Sequence, residues 1–254
     1  MTTFQRLLKI REERGTGYLV LIDPDKNDID KLPSFVREAT EAGVDGFLLG
    51  GSLMLTNEFE AHLQTVKRNT TVPVLIFPGS LLQVSSIADA ILFLVLISGR
   101  NPEHLIGNQV IAAPIIKKTG LEAISTGYML IEAGKTTSAE FMSNTKPIPR
   151  DKPDIALAHA LAAELIGMKM LYLDAGSGAD ISVPDEMIRT LSQRCPLPMI
   201  VGGGIRTPEE ARKKAEAGAS FVVTGTVTEQ NNHRTFIREF AEAVHSLSTA
   251  HRKR

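Results

Sequence analysis

Two glycine-rich turns near the end of the chain carry the residue types that bind phosphate. Gly202-Gly203-Gly204-Ile205-Arg206 leads into Thr207-Pro208-Glu209-Glu210. Glycines let backbone N–H groups approach an anion closely. Thr207, Pro208 and Glu210 read as the N-cap, first helical proline and closing residue of a capping box. Gly225-Thr226 follows one strand later. Glycines also make plain tight turns, but two such turns at successive strand ends fit a phosphate site. A third segment, Tyr172-Leu173-Asp174-Ala175-Gly176-Ser177-Gly178, places a phenol, a carboxylate and a hydroxyl at another strand end. Tyr172 and Asp174 share parity, so they point to one side of that strand. Such a pair suits hydrogen bonding to a polyol, with Asp174 able to accept a hydroxyl proton; a turn with an exposed Asp is the plainer alternative. Asp23-Pro24-Asp25-Lys26 and Gly50-Gly51-Ser52 add hard oxygen donors of the kind Mg²⁺ takes together with substrate phosphates. The same aspartates would also serve a turn.

The elements that must position these residues are short apolar runs. Tyr18–Ile22, Gly46–Leu49, Val74–Phe77, Ala90–Ile97, Ala123–Ile131, Met170–Leu173, Met199–Val201 and Phe221–Thr224 read as strands. Most are continuous rather than alternating, the pattern of parallel strands buried on both faces. Helices are read over Pro33–Ala42, Met54–Arg68, Asp154–Ile166 and about Thr235–Leu247. Eight βα units in 254 residues predict the α/β class and a single-domain (β/α)8 barrel over residues 1–254. An open doubly wound sheet would carry its glycine fingerprint after the first strand, where this chain has DPDK. Two irregular segments follow strands four and five. Ser98–Lys118 contains Pro102 and Pro114, and Thr136–Pro153 is a polar, proline-containing insert of a length that is more often functional than idle.

Composition narrows the function. With 28 basic and 29 acidic residues the net charge is -1, which leaves no general basic excess for nucleic acid. There is no tryptophan and few aromatics for base stacking. Cys195 is the single cysteine, which excludes an internal disulfide framework and a Cys-based zinc site. The histidines show no metal-binding spacing, and neither a GxSxG nucleophile elbow nor a P-loop is present. The longest apolar run, Ala90–Ile97, is too short to span a bilayer as a helix. The N-terminal stretch lacks the features of a signal peptide, so a cytoplasmic location is expected.

Taken together, LIDPDK (21–26), GGS (50–52), YLDAGSGA (172–179), GGGIR (202–206) and VTGT (223–226) resemble the geranylgeranylglyceryl phosphate synthase family, which includes bacterial heptaprenylglyceryl phosphate synthases. The stretch 136–169, from TTSAEF to LIGMK, resembles the family's second, longer-chained branch. The resemblance implies a prenyltransferase that joins the 3-hydroxyl of sn-glycerol 1-phosphate to C1 of an allylic prenyl diphosphate and releases pyrophosphate. By motif match, Asp23 and Ser52 would hold Mg²⁺. Tyr172, Leu173, Asp174, Ala175, Gly176, Ser177 and Gly178, with Gly203, Gly204, Gly225 and Thr226, would hold glycerol phosphate. Two positions depart from the family pattern. Asp174 stands where the family usually has Glu, and Leu21 stands where the shorter-chained branch has Lys. Lys26, Lys135 and Arg206 are then the candidates to neutralise phosphate.

The prenyl groove is expected toward strands two to five, near Phe77, Leu81, Leu82, Ser98–Lys118 and Tyr128. The branch points to geranylgeranyl diphosphate as donor, with heptaprenyl or another length as the alternative. Donor and product partition into lipid, so transient contact with a membrane surface is expected, and the branch implies a homo-oligomer. Two competing readings share the phosphate loops: a phosphosugar isomerase-type barrel and a non-catalytic barrel that binds a phosphate ligand.

Overall fold

Each apolar run forms a strand. In the computed structural model, which describes residues 1–225 and 233–245, these are β1 (Gly17–Ile22), β2 (Gly46–Leu49), β3 (Val74–Ile76), β4 (Ala90–Leu96), β5 (Glu122–Leu130), β6 (Met170–Asp174), β7 (Met199–Gly202) and β8 (Phe221–Thr224). They pair in parallel in chain order, and β8 returns to β1 to close an eight-stranded barrel. Every end lies within one residue of the sequence reading. The helices around the barrel are α1 (Thr3–Arg14), α2 (Leu32–Glu41), α3 (Phe59–Asn69), α4 (Asn108–Thr119), α5 (Ser138–Ser143), α6 (Pro153–Leu165), α7 (Asp185–Arg194), α8 (Pro208–Glu216) and α9 (His233–His245).

Alternation along the strands sorts side chains into two cores. Leu19, Leu48, Leu75, Leu92, Ile124, Tyr172, Ile200 and Phe221 fill the barrel interior. Val20, Phe47, Val74, Ile91, Leu171, Val201 and Val222 face the surrounding helices. Leu7 of α1 packs into the interior cluster and so closes the N-terminal end. On that face the buried Asp45 carboxylate accepts the backbone N–H of Tyr18 at 2.8 Å, and pairs with Arg14 of α1 at 3.0 Å and His245 of α9 at 2.7 Å.

Three segments depart from the sequence reading. Ser98–Lys118 is not irregular for most of its length: a π-helical turn at Glu103–Gly107 runs directly into α4. Pro114 is tolerated inside α4 because the carbonyl it cannot bond belongs to Val110, which lies on the exposed side. Thr136–Pro153 contains α5, capped by the Thr137 side chain, and touches the end of β5 through an Ile131–Ile148 bridge. The helix expected from Met54 begins only at Phe59, because the N–H groups of Leu55 and Thr56 are turned toward the Asp25 carboxylate at 2.6 and 3.2 Å. The expected end of the last helix at Leu247 lies outside the described residues.

Candidate active site

A cavity of about 600 Å³ opens at the C-terminal ends of the strands. Tyr172, Asp174, Ser177, Gly178, Gly203, Gly204, Gly225, Asp23 and Ser52 all line it, so the fold brings together most of the site residues chosen from sequence. Leu173 and Ala175 do not line it: both are buried in the outer core, as odd-numbered positions of β6 and its extension must be. Gly176 reaches the site through its backbone, donating its N–H to the Asp174 carboxylate at 2.7 Å. Thr226 lies outside the described residues.

The polar end of the cavity is built by the loops after β6, β7 and β8. The capping box read from sequence is present: Thr207 Oγ1 accepts the Glu210 N–H at 3.2 Å, and Glu210 accepts the Thr207 N–H at 3.2 Å and the Arg206 N–H at 2.7 Å. This fixes the entry into α8 just behind Gly203 and Gly204. Gly203 has φ +82, and a Cβ there would lie 2.5 Å from the Gly176 nitrogen and 2.8 Å from an Asp174 oxygen. Only glycine fits this close approach of two loops. Gly225 is different. A Cβ on it would meet Leu21 first at 3.7 Å, an ordinary contact.

Asp174 sits where these loops meet the barrel interior. It is buried, which pushes its carboxyl above the ordinary aspartate value, while hydrogen bonds from Tyr128 and Gly176 pull the other way. The Tyr128 hydroxyl donates to Asp174 Oδ2 at 2.6 Å. Tyr128 and Tyr172 are themselves buried, and burial together with the neighbouring Asp174 charge holds both phenols well above their ordinary range. Phe77 stacks on Tyr172 at 4.7 Å, and Tyr128 meets both rings edge-on at 5.8 and 5.5 Å. Sequence reading placed Tyr128 near the groove but missed its bond to Asp174.

At the other rim, the two aspartates of DPDK divide their work. Asp25 accepts from Leu55 N–H, Thr56 N–H and the Thr56 hydroxyl, the last at 2.7 Å. Burial alone would raise its carboxyl, but these bonds hold it below the ordinary value. It therefore ties the loop after β1 to the loop after β2. Asp23 faces the cavity, paired with Lys26 at 3.3 Å, and Ser52 lines the same space. The loop carrying Ser52 is braced from the helical turn after β3 by the buried Gln83, whose amide donates to the Gly51 carbonyl at 2.8 Å and accepts the Gly79 N–H at 3.0 Å. Sequence reading missed Gln83, since nothing local marks its burial. No group of three His, Cys, Asp or Glu side chains suited to a metal occurs among the described residues.

Of the candidate phosphate cations, Lys26 and Arg206 line the cavity, and Arg206 also donates to the Ala179 carbonyl at 2.9 Å. Lys135 pairs instead with Asp180 at 3.0 Å and lies away from the cavity lining. The apolar end runs between β4 and α4, lined by Leu55, Phe77, Leu81, Val84, Ile91, Phe93, Ala112, Ile116 and Met142. Leu82 is not part of it: its side chain is exposed. Cys195 is buried and packed in the outer core.

Comparison with known proteins agrees with this geometry. A geranylgeranylglyceryl phosphate synthase of Chitinophaga pinensis is 47% identical over 94% of this chain and 94% of its own. The enzyme of that name from Korarchaeum cryptofilum is 43% identical over 94% and 98%. The crystal structure of (S)-3-O-geranylgeranylglyceryl phosphate synthase from Thermoplasma acidophilum, in complex with its substrate sn-glycerol-1-phosphate, superposes with a TM-score of 0.91 at 34% identity, covering 97% of this chain and all of that one. The sequence profile of the PcrB family matches residues 8–244, nearly the whole barrel, and the chain belongs to that family.

Proposed function

We propose that this protein transfers a geranylgeranyl group from its diphosphate to the 3-hydroxyl of sn-glycerol 1-phosphate, forming an ether and releasing pyrophosphate. The observation that carries this reading is one continuous cavity that joins a glycine-rich polar end to an apolar end and is lined by the buried Asp174. The polar loops hold the phosphate and present the glycerol hydroxyl. Asp174 accepts the hydroxyl proton as the oxygen bonds to C1 of the donor, and the C1–O bond to the diphosphate breaks with its electron pair leaving on pyrophosphate. Fixing both substrates in one cavity removes part of the entropic barrier. The relatives' shared name and the glycerol phosphate complex of the Thermoplasma acidophilum protein support the choice of substrates.

The reading includes Mg²⁺, held by Asp23 and Ser52. The donor set fits: Mg²⁺ usually takes one or two carboxylates and completes its shell with waters and substrate phosphates, so no all-protein cage is needed. Gly51 supports the fit, since a Cβ there would lie 3.0 Å from Asp23 Oδ1 and crowd the carboxylate. When bound, the ion neutralises charge on the departing diphosphate. Lys26 and Arg206 add positive charge within the same cavity.

Transient docking at a membrane surface belongs to the same reading, because donor and product are lipids; no described helix is long and apolar enough to cross a membrane. Assembly into a homo-oligomer is supported by the exposed apolar side chains of Val110, Ile111 and Ile115 along α4.

The deciding experiment incubates the protein with sn-glycerol 1-phosphate, Mg²⁺ and C15, C20 and C35 prenyl diphosphates in competition. Preferred consumption of the C20 donor is expected. A C35 preference replaces the donor, and no turnover of any removes the prenyltransferase reading. In the same assay, Gly225→Val is expected to raise the KM for glycerol phosphate roughly tenfold or more while changing that for the donor little. A Cβ there meets nothing in the protein closer than Leu21 at 3.7 Å, so the substitution is directed at ligand space. Equal rises for both substrates would indicate damage to the barrel.

A further inference from the structure

We infer that Tyr128 is the positioning residue for the proton-accepting carboxylate: it fixes Asp174 in its working orientation and keeps that group ready to take the glycerol hydroxyl proton. The inference rests on the proposed reaction and concerns a side chain that no phosphate or metal motif contains.

The geometry starts from the strand register. Tyr128 lies opposite Tyr172, and Leu130 opposite Asp174, in the β5–β6 ladder. The Tyr128 side chain reaches diagonally past its own partner to the next inward position, where its hydroxyl donates to Asp174 Oδ2 at 2.6 Å. Gly176 N–H takes Oδ1 at 2.7 Å. Each carboxylate oxygen thus has its own donor, with a lone pair to spare. The phenol has little freedom to move, because Phe77 and Tyr172, stacked on each other, meet its ring edge-on. A buried carboxylate held by a preset donor needs no reorganisation when the hydroxyl arrives. The phenol cannot compete for that proton: burial and the Asp174 charge keep it protonated well above the ordinary tyrosine range.

Removing the hydroxyl has a defined electrostatic consequence. Burial favours the neutral form of Asp174, and the Tyr128 bond opposes burial. Tyr128→Phe keeps the ring and its packing but deletes the opposing bond, so Asp174 holds its proton to higher pH. The other ionisable groups around Asp174 are few. Tyr172 is on its own strand, the end of β7 and the loop after it bring Gly202 and Gly203, and Asp23, Asp25, Lys26, His104 and Arg206 line the same cavity.

The test compares wild type and Tyr128→Phe by two readouts. The first is the carboxyl titration of Asp174 in ¹³C-aspartate-labelled free protein, with Asp174→Asn assigning the resonance. The second is kcat against pH with sn-glycerol 1-phosphate, geranylgeranyl diphosphate and Mg²⁺. The expected result is a midpoint displaced to higher pH and a kcat that falls about tenfold further on the acid limb than on the alkaline plateau, the size expected of a hydrogen bond to a charged group. An unmoved midpoint overturns the inference. A moved midpoint with an unmoved kcat profile removes Tyr128 from the reaction. If the wild type forms no product, the proposed activity fails, while the titration still decides whether Tyr128 governs Asp174.

Discussion

Asp174→Asn is expected to lower kcat by roughly 10²–10⁴, the usual contribution of a general base, without unfolding the barrel. The substitution is close to isosteric. The amide oxygen can take the place of Oδ1 and accept the Gly176 N–H, and the amide nitrogen can donate to the Tyr128 hydroxyl, so the bonds seen around Asp174 have replacements. What is lost is the charge and the ability to accept a proton. The pH dependence carries a second signature. With Asp174 as the proposed proton acceptor, wild-type turnover requires the ionised carboxylate and should fall as pH drops through the Asp174 titration. Burial raises that titration, and the acid limb should therefore lie above that of an exposed aspartate. In the asparagine variant this limb should vanish from a low, flat profile. An undiminished kcat would send the hydroxyl proton elsewhere and leave Asp174 a structural acceptor.

Asp23→Asn should cost less in turnover and should move a second parameter as well. Loss of the carboxylate proposed to hold Mg²⁺ is expected to remove about 3–4 kcal/mol of transition-state stabilisation, or roughly 10²–10³ in turnover. The Mg²⁺ concentration needed for half-maximal rate should also rise. The loop should survive, because Asp25 ties it to residues 55 and 56 independently of Asp23, and the Asn oxygen can still accept the Asp25 N–H. An unchanged circular dichroism spectrum with a steeply altered Mg²⁺ titration is the expected pair of results. Full Mg²⁺-dependent activity in this variant would take Asp23 out of the metal site.

The barrel was legible because its strands are apolar on both faces. Continuous runs such as Gly46–Leu49 and Phe221–Thr224 mark themselves, and the Thr207–Glu210 capping box marks the start of α8. The polar end of the cavity was legible for a related reason: its glycines and its carboxylate lie in short contiguous segments at strand ends. The parts that escaped depend on partners far away in the chain. Pro102 and Pro114 argue locally against a helix, yet one stands just before the π-helical turn and the other leaves unbonded only the carbonyl of Val110, on the exposed side. The delayed start of α3 is set by a carboxylate thirty residues earlier. Tyr128 and Asp174 are 46 residues apart, and only the β5–β6 register shows that they meet.

The cavity draws its two ends from different halves of the barrel. The acceptor end rests on the loops after β6, β7 and β8, whereas the apolar end rests on β3, β4 and α4, and the aromatic cluster of Phe77, Tyr128 and Tyr172 stands between them. Mutations that deepen or shorten the apolar end therefore leave Gly203, Gly204 and the α8 cap untouched. If the apolar end takes the prenyl tail as proposed, changes in α4 should alter tail preference while leaving the glycerol phosphate loops as they are.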